Sequence, residues 1–235
     1  KVLDYFPTLL LTIRIVLVNT LISLIICSMA GYGLARFRME FAPVFIGIII
    51  ATIIVPVQTY IIPLYFQFVN FDFFKLGKII EVFTGTPVIV NLVNTEFPFY
   101  IMNLFGCGMR SGLFILIFMQ FFKNLPKELE NAARIDGCTE LGTYIRIMIP
   151  NVKSAYLVVF LFSFVWNWND YYLSQMFMRR NMLLANKLGM IRELVNPVVN
   201  PGGWGDGVSG SVAIFASTIL FILPPLLIYI VAQRR

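Results

Sequence analysis

A run of aromatic, amide and acidic side chains lies within one of the apolar segments of this chain. Residues 166–171 read Trp-Asn-Trp-Asn-Asp-Tyr. Aromatic rings pack against the C–H faces of a sugar, while amide and carboxylate groups hydrogen-bond its hydroxyls. Polar groups at membrane depth usually face a cavity or the interior of a helix bundle. The segment therefore predicts a solute path lined by Asn167, Trp168, Asn169, Asp170 and Tyr171.

The same segment also allows a purely structural interpretation. Tryptophan and tyrosine are enriched at the two membrane–water interfaces, and amide groups form bonds between neighbouring helices. We favour this interpretation for Trp166 and Tyr172, whereas the adjacent polar residues Asn169 and Asp170 favour a solute path.

Arg110 is an ionisable residue deep in another apolar segment, and such residues are expensive in a membrane unless they serve a path or meet a partner. It lies between Gly108 and Gly112, a spacing of small residues that is typical of close helix packing. We assign packing to the two glycines and, as a hypothesis, a role in the solute path or its gating to Arg110.

Several kinds of chemistry are excluded by the sequence. The chain has no histidine, which removes histidine-based catalysis and pH switching. Its cysteines, Cys27, Cys107 and Cys138, lack the spacing of metal ligands. No Gly-x-x-x-x-Gly-Lys-Ser/Thr sequence is present, so ATP would have to be bound by another chain. The small excess of basic residues, 18 Lys and Arg against 12 Asp and Glu, suits membrane loops better than a nucleic-acid surface.

The elements that position these residues are those of a membrane protein. Hydrophobic residues make up 59% and charged residues 13% of the 235 residues, whereas soluble domains carry roughly a quarter charged residues. A helix needs about 20 apolar residues to cross a bilayer. We expect an all-α integral membrane bundle in one domain, with spans at about residues 9–35, 41–69, 99–122, 152–178 and 208–232.

The basic residues of the connections predict an orientation. Lysine and arginine are more frequent after the first span, between the third and fourth spans and after the last span than in the other connections. Cytoplasmic loops carry such an excess, which places the N-terminus outside and the C-terminus inside, with one further span expected upstream. Residues 79–93 are expected to form a short interfacial helix.

The most polar stretch, at residues 127–150, predicts two short helices joined by a turn. Asn124 is expected to cap the first helix and Gly137 to end it, and the second is expected over residues 139–148, ended by Pro150. Ala132 and Ala133 fall on one predicted face. A plain connecting loop would need only a few residues, so we interpret this segment as a docking surface for another protein.

The sequence "LPKELENAARIDGCTELGTYIRIMIP" resembles the cytoplasmic coupling loop of bacterial ABC-importer permeases, and most closely that of the maltose-type carbohydrate-uptake permeases. "NTLISLIICSMAGYGLARF", "VPVQTYIIPLY", "FVWNWNDYY" and "ILPPLLIYIVAQR" are similar to other parts of the same family, in the same order. The resemblance implies six spans in the full chain, a coupling loop at residues 123–151, and a bacterial cytoplasmic membrane location. It also implies a sugar, oligosaccharide or polyol substrate, with glycerol phosphate possible.

The resemblance further implies partners and roles. These are a second permease subunit, a pair of cytoplasmic ATPase subunits that bind ATP and Mg, and an external solute-binding protein; the chain itself would bind no cofactor and catalyse no reaction. Ala132, Ala133, Asp136, Gly137 and Pro150 match the coupling signature. Asn131 stands where the family usually has Glu. Glu130 lies one position earlier, about 100° away on a helix, and we include both Glu130 and Asn131 among the residues expected to contact the ATPase.

Two other functions are weighed against a permease. A self-sufficient secondary transporter would need its own ion-coupling charges near the membrane centre, and Arg110 and Asp170 are the candidates. A membrane enzyme is disfavoured, because the sequence shows no cluster of carboxylates and no pair of nucleophile and base.

Overall fold

The computed structural model describes residues 4–37, 39–72, 89–195 and 207–232. Within these ranges the regular structure is helical, and the sole β feature is an isolated antiparallel bridge between Phe71 and Val90. The expected all-α membrane fold is therefore confirmed. The loop cations Arg38, Lys75 and Lys78, the C-terminal pair Arg234 and Arg235, and most of the expected interfacial helix at 79–93 lie outside the described residues.

Two helices are each long and apolar enough to cross a membrane. Helix α1 runs over Tyr5–Arg36 and helix α11 over Gly207–Ala232. They occupy the first and last of the expected spans. The adjacent prolines Pro224 and Pro225 lie inside α11.

The expected span at 41–69 is divided into α2, Ala42–Ile54, and α3, Val57–Val69. The division lies at Val55, which has an extended backbone, and Pro56, which precedes α3. A proline has no N–H to continue the helix and disfavours helical backbone in the residue before it. A hydropathy profile does not show this break, because the sequence around Val55 and Pro56 stays apolar.

The expected spans at 99–122 and 152–178 are divided as well. The first contains α4, Phe97–Leu104, and α5, Ser111–Lys123, separated by a loop in which Gly106 and Arg110 have left-handed backbones, with φ of 68° and 60°. The second contains α8, Lys153–Trp168, and α9, Tyr172–Phe177. By length and hydropathy the described residues contain two spanning helices. The number rises to four if two bent pairs each count as one span, namely α2 with α3, and Glu140–Asn151 with α8.

The coupling loop contains the two expected helices. Helix α6 covers Glu128–Ile135 and helix α7 covers Glu140–Asn151, with a π-helical turn at Tyr144–Met148. The predicted cap is wrong: Asn124 ends α5, whereas Lys127 precedes α6 and makes no side-chain capping bond. Helix α10, Leu184–Val195, completes the described set.

The chain divides into two compact units. The first comprises residues 1–16, 56–98 and 168–235, and the second comprises residues 17–55 and 99–167. In the first unit, threonines of α1 hold the start of α10: the Leu184 N–H donates to Thr12 Oγ1 over 3.1 Å, and Lys187 Nζ donates to Thr8 Oγ1 over 2.6 Å.

The second unit is built around an apolar core that α1, α5, α7 and α8 share. Its fully buried members are Cys27, Phe114, Phe118, Phe122, Met148, Val152, Ala155 and Val159. Beside this core, the buried Asn103 donates to Asn19 Oδ1 over 3.0 Å and accepts from Ser23 over 2.5 Å, which satisfies its amide and ties α4 to α1.

Glycines allow close helix contacts in this second unit. The backbone of Gly112 lies against Thr52 and Ile49 of α2, which agrees with the packing role predicted for it. Gly108 lies in the loop before α5 and meets Asn103 of α4, so the two glycines do not form one helix-packing pair. Gly31 of α1 lies against α5, so that a Cβ there would stand 2.7 Å from Phe118 Cβ and 2.9 Å from the Ile115 carbonyl oxygen.

We expect Gly31→Ala to destabilise the protein by about 1–3 kcal/mol, because overpacking a tight contact forces backbone shifts. The matched control is Gly47→Ala in α2, where an added Cβ meets nothing within 4 Å. Thermal unfolding in detergent measures both variants. Equal melting temperatures for the two would show that α1 and α5 are not in close contact.

Candidate functional site

The turn between α6 and α7 is fixed by hydrogen bonds on both sides. The Cys138 N–H donates to the Ala133 carbonyl over 2.9 Å, and the Gly137 N–H donates to that of Arg134 over 3.1 Å. This is the Schellman arrangement, in which the residue after the cap adopts a left-handed backbone. Gly137 does so, with φ of 78°, which confirms the predicted helix end. On the far side, Thr139 Oγ1 caps α7 by accepting from the Gly142 N–H.

The two alanines of the signature lie on different faces of α6. Ala132 is exposed, whereas Ala133 is 1% exposed and is built into the second unit. Consecutive helical residues are about 100° apart, so one of the pair can face outward while the other packs inward. The expectation that both belong to one outward patch is therefore corrected. Asn131, Asp136 and Gly137 are exposed with Ala132.

Three large apolar side chains also stand exposed on the coupling loop. Ile135 is 86% exposed, Leu141 59% and Ile145 52%. Together with Asn131 and Ala132 they make what we term the exposed loop face. Sequence reasoning missed these three residues, although isolated apolar residues within an otherwise polar segment are a usable signal.

Glu130 is directed toward the protein and not toward solvent. Its Oε1 lies 3.4 Å from Nε of Arg36, and the two side chains are 12% and 5% exposed. Arg36 also donates from Nη2 to the Leu125 carbonyl over 2.8 Å. Glu130, which we predicted to contact a partner ATPase, is therefore already paired with a residue of its own subunit.

Pro150 lies inside the last turn of α7, which continues to Asn151 before an 80° bend into α8. The expected end of this helix at Pro150 is corrected by one residue. A proline ring clashes with the carbonyl four residues earlier, here that of Arg146. The π-helical turn just before it, in which the Ile149 N–H donates to the Tyr144 carbonyl, gives that carbonyl room.

In the second unit, two of the expected solute-path residues lie near the aromatic side chain of Trp166. Arg110 is exposed, and its guanidinium carbon lies 5.7 Å from the centre of the Trp166 ring, a cation–π distance. Asn167 is half-buried and donates to the Ser163 carbonyl of its own helix over 2.8 Å. The side-chain oxygen of Asn167 and the guanidinium of Arg110 are the polar groups that a solute could contact beside Trp166.

In the first unit, two expected path residues serve the fold. Trp168 is buried and donates from Nε1 to the Phe221 carbonyl over 3.1 Å. The buried carboxylate of Asp170 accepts the N–H groups of Leu173 and Ser174 over 3.2 and 3.1 Å. It therefore caps α9, and this cap is the local reason why the predicted span is divided at residues 169–171.

Asn169 and Tyr171 are exposed on either side of that buried carboxylate. The Tyr171 ring lies against the backbone of Gly189 in α10, where an added Cβ would stand 3.2 Å from the ring. Amide and phenol groups are of the kind that hydrogen-bond and stack against sugars, and a solute path at these two residues stays a prediction.

Comparisons with known proteins identify the chain's relatives. A family model described as "Binding-protein-dependent transport system inner membrane component" matches residues 23–235. The lactose transport system permease protein LacG of Rhizobium radiobacter is 27% identical over 224 residues, covering 95% of this chain and 70% of that protein. The arabinooligosaccharides transport system permease protein AraQ of Bacillus subtilis is 27% identical over 230 residues, covering 98% and 70%.

One solved structure shares the fold. It is described as the crystal structure of a bacterial ABC transporter involved in the import of the acidic polysaccharide alginate. The match has a TM-score of 0.63 at 19% identity and covers 95% of this chain and 72% of that one.

Asn169 and Asp170 give a matched test of path against fold. We expect Asp170→Ala to lower stability by about 0.5–2 kcal/mol, the usual cost of losing a helix cap, as measured by the melting temperature in detergent. Asn169→Ala should lower the melting temperature less than Asp170→Ala does and should alter solute uptake. The reverse pattern would place the path at Asp170.

Proposed function

The chain belongs to the family of binding-protein-dependent transport system inner membrane components, and we propose that it moves a sugar, oligosaccharide or polyol into the cell. It is a permease subunit of an ABC importer. We propose further that it forms the pore with a second permease subunit in a bacterial cytoplasmic membrane. The relatives LacG and AraQ are named for lactose and arabinooligosaccharides, which supports an oligosaccharide substrate.

The observation that carries the coupling proposal is the exposed loop face. Ile135, Leu141 and Ile145 present apolar side chains on a loop whose other exposed residues are mostly polar. Apolar groups at the centre of a patch with polar residues around them are typical of a protein–protein contact. We assign this face to an ATPase subunit on the cytoplasmic side, in contact with Asn131, Ala132, Asp136 and Gly137.

ATP and Mg are bound by the ATPase subunits in this proposal, and the solute arrives on a separate binding protein. Closure of the ATPase pair displaces α6 and α7. Pro150 and the bend that follows it connect this movement to α8, whose far end carries Asn167 and Trp168. The spans then open the path to the outside, as alternating access requires.

The solute path is proposed at the exposed polar groups of the segment first singled out. In the first unit, Asn169 and Tyr171 supply an amide and an aromatic face. In the second unit, Asn167 and Arg110 supply hydrogen-bonding groups beside Trp166. The polar atoms of Trp168 and Asp170 are bonded to backbone groups, so these two residues hold the fold of the first unit. That engagement of Asp170 also weakens the secondary-transporter alternative, which needed it as a coupling charge.

Transport by the assembled importer tests the function. The chain is purified in detergent with the ATPase subunits that extract with it, then reconstituted in vesicles with the solute-binding protein. Labelled lactose, maltotriose, arabinotriose and glycerol 3-phosphate serve as probes. We expect ATP-dependent uptake of one or more sugars. Isolation of a lone chain that transports without ATP would contradict the proposal.

The exposed loop face gives a second test. We expect Ile135→Asp to reduce the amount of ATPase that co-purifies, because replacing a central apolar contact by a charge costs about 2 kcal/mol or more at an interface. Ile135→Leu keeps the apolar surface and is the control. Equal ATPase recovery with both variants, at equal membrane insertion, would remove Ile135 from the interface.

A further inference from the structure

Three segments of the second unit meet at one arginine. Arg36 lies in the last turn of α1, Leu125 lies between α5 and α6, and Glu130 lies in the first turns of α6. Nε of Arg36 stands 3.4 Å from Glu130 Oε1, while its Nη2 donates to the Leu125 carbonyl over 2.8 Å. We term this set of contacts the Arg36 clasp.

Arginine and glutamate suit these positions for electrostatic reasons. A cation is stabilised at the C-terminal end of a helix, as Arg36 is on α1, and an anion near the N-terminal end, as Glu130 is on α6. Both side chains are almost fully buried, where a charge pair is screened little by water and salt. The planar guanidinium has several N–H groups and can contact the Glu130 carboxylate and the Leu125 carbonyl at the same time. A lysine ammonium, which is a compact point charge, would do so less well.

Within the clasp, the contact between Arg36 and Glu130 depends on charge, whereas the contact between Arg36 and Leu125 is a hydrogen bond. Nε of Arg36 and Oε1 of Glu130 are buried, and neither makes a hydrogen bond within the described part of the chain. Their attraction is therefore that of two opposite charges at 3.4 Å. An amide at position 130 would keep the shape of the side chain and lose most of this attraction.

A second ion pair in the coupling loop is of a different kind. Arg134 Nη2 lies 2.9 Å from Glu140 Oε1, and the two side chains are 58% and 52% exposed. Exposed pairs of this sort contribute little because water and salt screen them. This pair joins α6 to α7 and involves no residue of α1.

Helix α6 depends on its attachments because it has only eight residues, which is too short for a stable isolated helix in water. Its inward side carries Ala133, which supplies one methyl group, the half-buried Leu129 and the charged Glu130. Its opposite side carries Asn131, Ala132 and Ile135 of the exposed loop face. A displacement applied to that face reaches α1 through the Arg36 clasp.

We propose that Arg36 and Glu130 are positioning residues that transmit the movement of α6 into α1, so that ATP hydrolysis is coupled to opening of the path. The inference rests on the proposed function. Without the clasp, the exposed loop face still binds the ATPase, but less of the movement of α6 reaches α1. ATP is then hydrolysed with less solute transported per ATP.

The test compares two variants. Glu130→Gln removes one charge from the buried pair with Arg36, and Glu140→Gln removes one charge from the exposed pair with Arg134. Each variant is purified as the complete complex with its ATPase and reconstituted with the binding protein. The probe is the sugar that gives the highest uptake by the wild-type complex in the panel above. Bound ATPase, ATP hydrolysis and uptake are measured on the same vesicles, so that the ATP consumed per sugar is independent of yield.

We expect Glu130→Gln to retain bound ATPase and hydrolysis while the ATP consumed per sugar rises about tenfold, the effect of losing one charge-assisted contact. Glu140→Gln should change this ratio by less than about twofold. Arg36→Gln should act as Glu130→Gln does, and the double variant should be no worse than Arg36→Gln alone, since the two residues act as one unit.

A ratio for Glu130→Gln within twofold of that for Glu140→Gln would overturn the proposal. So would a fall in uptake fully explained by less bound ATPase, because Glu130 would then act in docking or folding and not in transmission. A wild-type complex that lacks ATPase or ATP-dependent uptake would instead overturn the proposed function, and that result is read before any variant is compared.

Discussion

Every break in an apolar helix leaves backbone N–H and C=O groups that must find partners inside the protein, because hydrocarbon offers none. This constraint explains where the interruptions fall. At Val55 and Pro56 the proline has no N–H to satisfy, and the Val55 N–H still donates to the Ala51 carbonyl. After Trp168 the carboxylate of Asp170 accepts two of the N–H groups that open α9. Asp170 therefore stabilises the break between α8 and α9 by bonding these N–H groups, in addition to lying in the segment of the proposed path.

The sequence predicted the features that depend on neighbours along the chain. Hydropathy located the apolar segments, and the glycine at position 137 located the end of α6 because a left-handed residue favours glycine there. Pro56 signals the bend in the second span, whereas the interruptions of the third and fourth spans were missed, since hydropathy is blind to hydrogen bonding within an apolar run. The partners of Glu130 and Asp170 were also missed. Arg36 is far from Glu130 along the chain, and no local pattern signals such a contact.

Charge is used in two ways within the coupling loop. The Arg36 clasp is buried and joins the loop to α1, whereas Arg134 and Glu140 form an exposed pair across the turn. Burial makes the first pair costly to form and costly to break, since removing one partner leaves an uncompensated charge. The Schellman turn at Gly137 fixes the direction of α7 relative to α6 by backbone bonds alone, so the exposed pair is not needed to set that angle.

The departure at Asn131 acquires a physical meaning from this arrangement. In an eight-residue helix, positions 130 and 133 share one side by their spacing of three, while 131 and 135 share another by their spacing of four. Ala133 is buried and the Glu130 side chain is only 12% exposed, whereas Asn131 and Ile135 are exposed. The Glu130 carboxylate therefore makes a contact within the subunit. The outward side of the helix carries the amide of Asn131, the methyl group of Ala132 and the side chain of Ile135. A partner that recognises this side must do so largely by shape and apolar contact, which is the kind of contact that transmits a displacement without depending on salt.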